Sequence, residues 1–385
     1  MHSATNQQRI SVHLGLPRKL YGRLAEMEML RTAFQDASHG QQIAVFINGY
    51  AGMGKTALVY EAIRSLDLKD GHFIAGKSDQ LRQNIPYAPI AVALSNLIRQ
   101  LMMQSQEDLD RWRKRISRAL GRNGKVITDI VPELKWIVGE QPETETIPPS
   151  EAQNRFRLVM RSFIGAVAGK DHPLVLFLDD LQWADSASIK LIQFLVRDAE
   201  LPYLLLVGTY REIEAEENRV LMQMLETCDQ PGAQERRMSV IPLNKEQVVQ
   251  LTAEALHINA KCAGPLAIAL HRKSGGNPFF FIQLLLSLHD EGLLYRNAIG
   301  DWEWDREAVQ ALLPGEDILI FLTEKLKRLP EETLSMLKLA SCTGNCFDID
   351  TLSLISGEPP NKVLFKVQPA IWEGTCTGKR DVFCH

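Results

Sequence analysis

Apolar residues along the chain follow two alternating periods. Leu24, Met27, Leu30 and Phe34 return every three or four positions and predict an amphipathic helix over 24–37. Ile43–Ile47 is a continuous apolar, β-branched run, which predicts a strand buried on both faces, as in a parallel sheet. A Gly-rich turn follows, then a helix from about Lys55 to Ser65 and a short strand at Phe73–Ala75. Residues 80–140 change character and predict helices over 89–104, 107–120 and 123–138, with the Pro- and acid-rich stretch 139–149 as a loop. The alternation then resumes: helix 150–168, strand Leu174–Leu178, helix 184–199, strand Tyr203–Val207, helix 215–228, strand Met238–Ile241. Strands alternating with helices imply crossover units, so the expected fold class is α/β, a doubly wound parallel sheet interrupted by a helical insert. From Asn244 onward the pattern is mainly helical, at 245–256, 264–273, 278–291, 315–328, 331–341 and 348–356. A hairpin over Leu293–Trp304 is expected to turn at Gly300-Asp301. No internal repeat interrupts this order.

Composition narrows the picture in a few respects. A length of 385 residues allows two or three domains, and 45% hydrophobic with 23% charged residues is ordinary for a soluble globular chain. A formal net charge of -4 gives no global sign of a basic face, so nucleic acid is not among the expected partners. Met1–Ser11 is polar and does not read as a signal peptide, and Leu174–Leu178 and Leu204–Val207 are too short to cross a bilayer. A cytoplasmic location without membrane contact is the expectation. The six cysteines, Cys228, Cys262, Cys342, Cys346, Cys376 and Cys384, are sparse, as in a reducing compartment, and with His385 give no standard zinc spacing.

Candidate chemistry concentrates after the first predicted strand. Gly49-Tyr50-Ala51-Gly52-Met53-Gly54-Lys55-Thr56 fits the phosphate-loop pattern G-x-x-x-x-G-K-[ST], with a buried strand before it and a helix after it. Its glycines let backbone N–H groups turn toward an anion, and the helix N-terminus adds partial positive charge. The loop residues Gly49, Ala51, Gly52, Met53, Gly54, Lys55 and Thr56, with Ala57 behind them, are therefore expected to hold a nucleoside triphosphate, ATP with Mg²⁺. Lys55 is expected to reach the β- and γ-phosphates and Thr56 to place its hydroxyl on the metal.

The strand Leu174–Leu178 ends in Asp179-Asp180, and an apolar strand that terminates in acid is the partner of such a loop. Asp179 is expected to hold Mg²⁺ through water, and Asp180 to act as general base toward the attacking water. Hydrolytic relatives commonly carry Glu at the second position. Asp is one methylene shorter, so ATP binding is better founded here than fast turnover.

Asp179-Asp180-Leu181-Gln182-Trp183-Ala184-Asp185, followed by Ser186 and Ser188, resembles the signature of the signal-transduction ATPases of the STAND class. In particular it resembles the AAA-like (Orc1-like) P-loop module of bacterial multidomain kinases, adenylate cyclases and LuxR-type regulators. The resemblance covers roughly 16–356 and includes both Walker A and Walker B motifs. Leu20-Tyr21-Gly22-Arg23, with Glu26, resembles the family's opening motif, which implies Arg23 beside the nucleotide base. Gly208-Thr209-Tyr210-Arg211 resembles the sensor, which implies Arg211 facing the γ-phosphate and Thr209 as a polar probe. Gly275-Gly276-Asn277-Pro278-Phe279-Phe280 resembles the lid motif, with Pro278 near the nucleotide. Phe73 to Gln80, continuing through Asn84-Ile85-Pro86-Tyr87, resembles the subgroup attached to Ser/Thr and histidine kinases. No kinase signature, H-R-D or D-F-G, is present, so the chain resembles a fragment or a stripped-down version.

The resemblance implies a tail over 1–17, a P-loop ATPase domain over 18–243 with its insert at about 80–149, an all-α lid with a hairpin over 244–314, and a partial winged-helix-like region over 315–385. After about Ser356 the pattern departs from the family, and Lys362–His385 reads as a mixed tail that stops early. The expected function is an ATP-binding regulatory switch of a signalling protein, a slow ATP hydrolase exchanging ATP and ADP. Its expected partners are kinase or sensor domains in cis or trans, with nucleotide-dependent self-association. No arginine finger is evident, with Arg197 the nearest guess. Two alternatives stay open: a nucleotide-binding scaffold that does not hydrolyse, and a DNA-engaging origin-recognition-like ATPase.

Overall fold

The computed structural model describes residues 14–15, 19–66, 71–80, 83–197, 201–228, 235–297, 299–311, 323, 326–327, 329–343, 346–372, 377–379 and 382–384. Most of the predicted tail 1–17 and of the predicted helix 315–328 lies outside these residues. The described residues form two compact units, 1–271 with 276–304 and 272–275 with 305–385.

In the first unit, five strands make one parallel sheet: β1 (Gln42–Asn48), β2 (His72–Lys77), β3 (Leu174–Asp179), β4 (Leu204–Tyr210) and β5 (Glu235–Ser239), in the order β2-β3-β4-β1-β5. β1, β3 and β4 read as uninterrupted apolar runs because both of their faces are covered. Alternate side chains part to opposite faces. Ile43, Val45, Ile47, Val175, Phe177, Leu205 and Val207 pack with α1 (Leu24–Ser38) and α2 (Lys55–Ser65). Phe46, Ile74, Leu174, Leu176, Leu178, Leu204 and Leu206 pack on the other side with the helices between β2 and β5.

Those helices are α3 (Ala88–Met102), α4 (Gln106–Leu120), α5 (Lys125–Thr128), α6 (Lys135–Val138), α7 (Pro149–Val167), α8 (Ser186–Arg197), α9 (Glu212–Glu217) and α10 (Arg219–Cys228). Two predicted helices are broken. The helix expected over 123–138 splits into α5, a 3₁₀ turn at Pro132–Leu134 and α6. Pro132 has no N–H to donate and drives Val131 out of the helical region, to φ −125° and ψ 80°. The helix expected over 215–228 breaks at Asn218, whose side chain accepts from Leu221 N at 3.1 Å and donates to the Gln182 and Ala184 carbonyls at 3.2 and 3.3 Å. Those competing bonds make Asn218 a cap instead of a helix interior position.

The unit continues through α11 (Lys245–Leu256), α12 (Ala260–Ser274) as far as His271, α13 (Pro278–Asp290) and the hairpin β6 (Leu294–Arg296) and β7 (Trp302–Trp304). Asn244 opens α11 with a complete capping box on Gln247.

The second unit corrects the reading of the last residues. Pro360–Trp372 is a helix, with Val363, Val367 and Ala370 buried at helical spacing, where the sequence read as a mixed tail from Lys362. Strands Thr377–Lys379 and Val382–Cys384 form an antiparallel sheet with Cys346–Asp348. Helices Glu331–Ser341 and Ile349–Ser356 belong to the same unit. Pro369 inside the helix disguised it, because proline normally ends a helical pattern.

Candidate functional site

Register brings the site together at the carboxyl edge of the sheet. Lys77 lies opposite Asp179, Leu178 opposite Gly208, and Ile47 opposite Thr209. The ends of β1, β2, β3 and β4 therefore carry the Gly49–Thr56 loop, Lys77, Asp179-Asp180 and Thr209–Arg211 to one place, the usual ligand crevice of an open α/β sheet.

The loop has the backbone its sequence demands. Gly52 and Gly54 adopt φ of 77° and 84°. A side chain on Gly52 would meet the Asn277 oxygen at 2.7 Å, whereas a Cβ on Gly54 would meet nothing within 4 Å. Gly49 is held for a different reason: a Cβ there would meet the Val240 carbonyl at 2.7 Å. Lys55 opens α2 and is buried, its ammonium donating to the carbonyls of Gly49 and Tyr50 at 2.7 and 3.0 Å. Burial lowers its pKa, with the charge of Asp180 opposing that shift. Thr56 donates its hydroxyl to Asp179 at 3.0 and 3.1 Å, and Ala57 is exposed on the first turn of α2.

The two acids are in different electrostatic states. Thr209 donates to Asp179 and accepts the Asp180 N–H at 3.1 Å, so one hydroxyl ties both together. Burial and then the neighbouring Asp180 charge raise the Asp179 carboxyl above the usual carboxylate range. Burial acts on Asp180 in the same direction, but the Gln182 hydrogen bond and the charges of Lys77 and Arg211 outweigh it and hold that carboxyl low. Gln182 donates to Asp180 at 3.0 Å, Lys77 pairs with it at 3.1 Å and Arg211 lies 3.6 Å away. Arg211 also pairs with Glu214 at 3.2 Å, and its backbone N–H donates to Gln182 at 3.1 Å. Asp180 itself adopts φ 56° and ψ 49°, a left-handed conformation uncommon for a residue with a side chain.

On the other side of the loop, Asn277 caps α13 by accepting from Phe280 N at 3.2 Å. It also donates to the Ala51 carbonyl at 2.8 Å, and Phe279 N donates to the Gly52 carbonyl at 3.3 Å. Arg23 is buried and donates to the Ile241 carbonyl at 2.6 Å, with Glu26 at 3.5 Å. Tyr21, Arg23, Met53, Gly54, Leu251 and Pro278 line a mostly apolar cleft of about 90 Å³ beside the loop. Tyr21 donates to Glu254 at 2.8 Å, which ties the opening segment to α11.

The residues singled out in the sequence thus converge: the loop, Thr56, Asp179, Asp180 and Arg211 on one side, and Arg23, Met53, Gly54 and Pro278 around the cleft. Sequence reasoning did not assign Lys77, Gln182 or Asn277 to the site. The signal for Lys77 was its place two residues past the predicted strand Phe73–Ala75, where a parallel register puts it level with Asp179. Asn277 stood in the quoted lid stretch, where its capping role masked its second hydrogen bond.

The geometry defines a P-loop nucleotide-binding module with the acid-ended strand two places from the loop strand. Comparison with known proteins agrees. Residues 19–207 match the family model described as AAA ATPase domain. Over 410 residues the chain is 29% identical to hybrid signal transduction histidine kinase G of Dictyostelium discoideum, covering 90% of this chain and 12% of that protein. Over 198 residues it is 23% identical to histidine protein kinase 1 of Candida albicans, covering 46% of this chain and 8% of that protein. The chain therefore spans about 12% or less of the length of these two relatives. Among solved structures it is similar to a signal transduction ATPase with numerous domains (STAND) protein with a tetratricopeptide repeat sensor from Pyrococcus horikoshii. That likeness has a TM-score of 0.50 and 14% identity over 98% of this chain and 42% of the other, so it is one of fold. Residues 19–207 thus resemble an AAA ATPase domain, and the chain's fold is similar to that of the STAND protein. Neither curated relative is from a bacterium, and no described helix is long and apolar enough to cross a membrane.

Proposed function

We propose that this chain is the ATP-responsive regulatory switch of a signalling protein, with slow intrinsic hydrolysis. The observation that carries the reading is the joining of one loop, Gly49–Thr56, to both the acid pair and the lid helix α13. The donor set fits Mg²⁺ and a triphosphate. Thr56 and Asp179 are hard oxygen donors already within hydrogen-bonding distance of each other, and Gly52 and Gly54 leave the loop backbone free of side chains. Lys55, the loop N–H groups and the start of α2 would hold the phosphates, Thr56 and Asp179 would hold the metal, and Tyr21, Arg23 and Pro278 would flank the base. The metal, when bound, neutralises charge on the phosphate oxygens.

In hydrolysis, water forms a bond to the γ-phosphorus as the bond to the β–γ bridging oxygen breaks, ADP leaves, and Asp180 takes the water proton. Asp180 is a weak base for this work. Gln182 and Lys77 hold its carboxylate and, with the nearby charge of Arg211, depress its pKa, so little driving force remains for the proton transfer. Slow turnover suits a switch whose two nucleotide states persist, provided ATP and ADP favour different arrangements of the lid. Kinase or sensor domains in the same or another chain would be the partners, a reading supported by the histidine kinases that this sequence matches.

Phosphate release by the wild type and by Asp180→Asn tests the reading. A rate above background that falls with Asp180→Asn supports it. Identical background rates would favour the alternative, a scaffold that binds nucleotide without hydrolysing it.

A further inference from the structure

A second cavity lies at the opposite edge of the sheet. β2 begins at His72 and β3 at Leu174, so the amino ends of these strands face away from Lys77 and Asp179. Here α3 and α4 border an open cavity of about 590 Å³, within the size range of small-molecule sites.

Its wall is aromatic. Trp112 lies 5.1 Å from the ring of His172 and 5.7 Å from that of His72, and the two imidazoles stack at 6.0 Å. Trp112 is fixed by donating to Gln104 at 2.8 Å. Its rim is cationic. Arg111 and Arg115 are four residues apart on α4 and so share one face, and Arg115 lies over the Trp112 ring at 5.5 Å. Asp108 pairs with Arg111 at 3.0 Å, with Glu107 behind it at 3.7 Å. Among the described lining residues, Asp108 is the single acid against two guanidinium groups. At the floor, His72 is 4% exposed and its Nε2 has no hydrogen-bond partner among the described residues. Burial, then the neighbouring His172, lowers its pKa and favours the neutral ring.

A gap left by imperfect helix packing would be closed and aliphatic. This one is open, and two imidazoles, an indole and two guanidinium forks converge on it. Planar forks match carboxylate, sulfonate and phosphate oxygens, and flat rings match flat rings. We infer that the cavity between α3, α4 and the amino ends of β2 and β3 is a binding site for a small aromatic organic anion. The ring of such a ligand would lie against Trp112 and its acid group would meet Arg111 and Arg115. This assignment is independent of the nucleotide loop, which is at the other edge of the sheet.

The probe is 8-anilinonaphthalene-1-sulfonate, an aromatic sulfonate that brightens on leaving water, titrated into the full chain with saturating Mg-ATP. The expected result is one saturable site with energy transfer from tryptophan, and a smaller transfer amplitude in Trp112→Phe. Arg111→Gln combined with Arg115→Gln should weaken binding by about tenfold or more, since each lost guanidinium removes charge-assisted hydrogen bonds. Gln104→Glu, an exposed change that keeps the acceptor for Trp112 and adds a negative charge, should weaken it as well and serves if the double variant does not fold. Ile299→Ser and Leu354→Ser remove two of the most exposed apolar side chains and should leave the titration unchanged. Unaltered affinity in Gln104→Glu or in the folded double variant, or loss of binding in the Ile299 and Leu354 variants, overturns the assignment.

Discussion

The Asn277 side chain donates to the Ala51 carbonyl at 2.8 Å while its oxygen caps the first turn of α13. One residue therefore fastens α13 to the Gly49–Thr56 loop. The two roles can be separated. Asn277→Asp keeps the cap and loses the donor, so it should hold the fold while exchanging nucleotide faster. Asn277→Ala loses both and should cost about 1–2 kcal/mol of stability. Denaturant melts and release of a fluorescent ADP analogue check this. Equal release rates for the wild type and Asn277→Asp would remove the latch from the account.

Lys77 pairs with Asp180 at 3.1 Å and helps to hold its carboxyl low. Lys77→Met should let that carboxyl rise and strengthen it as a base, increasing phosphate release a few-fold. A fall in single-turnover rate would instead mean that Lys77 assists the reaction directly.

Gly54 and Gly52 should differ on substitution by alanine. Gly54→Ala meets open space and should cost only the left-handed backbone strain, about 1–2 kcal/mol. Gly52→Ala adds a 2.7 Å clash with Asn277 and should cost more, with the lid contact broken. Thermal melts of the two variants without nucleotide give the comparison, and equal losses would contradict the packing described.

His72 makes stability depend on pH. Its pKa is lowered in the fold, mainly by burial and then by His172, while Gln100 opposes the shift. Among the described residues, Arg111, Arg115 and Asp108 are the other charged groups lining the same cavity. The unfolded chain takes up this proton below about pH 6.5 and the folded chain does not, so stability should fall as pH drops from about 6.5 and level off above it. His72→Phe should flatten that part of a urea-midpoint profile between pH 5.5 and 7.5. An unchanged slope would show that His72 does not titrate as described.

Much of this organisation was legible in the sequence, for particular reasons. β1, β3 and β4 stood out because burial on both faces leaves no polar alternation to confuse them. The Gly49–Thr56 loop was legible because its geometry is local: two left-handed glycines, a lysine and a hydroxyl within eight residues. The breaks at Pro132 and Asn218 were less so, since periodicity carries across a short interruption. The contacts of Lys77 with Asp180 and of Asn277 with Ala51 join segments more than 100 residues apart. No local pattern encodes them; they follow from strand register and from where the lid helix starts.

The most direct test of the central claim is equilibrium binding of Mg-ATP to the wild type and to Lys55→Ala, with thermal melts of both. The lysine is buried against the loop and supplies its side-chain cation, so the account predicts saturable binding weakened by about tenfold to a hundredfold in the variant. Equal affinity in a folded Lys55→Ala chain would contradict the placement of the nucleotide on this loop.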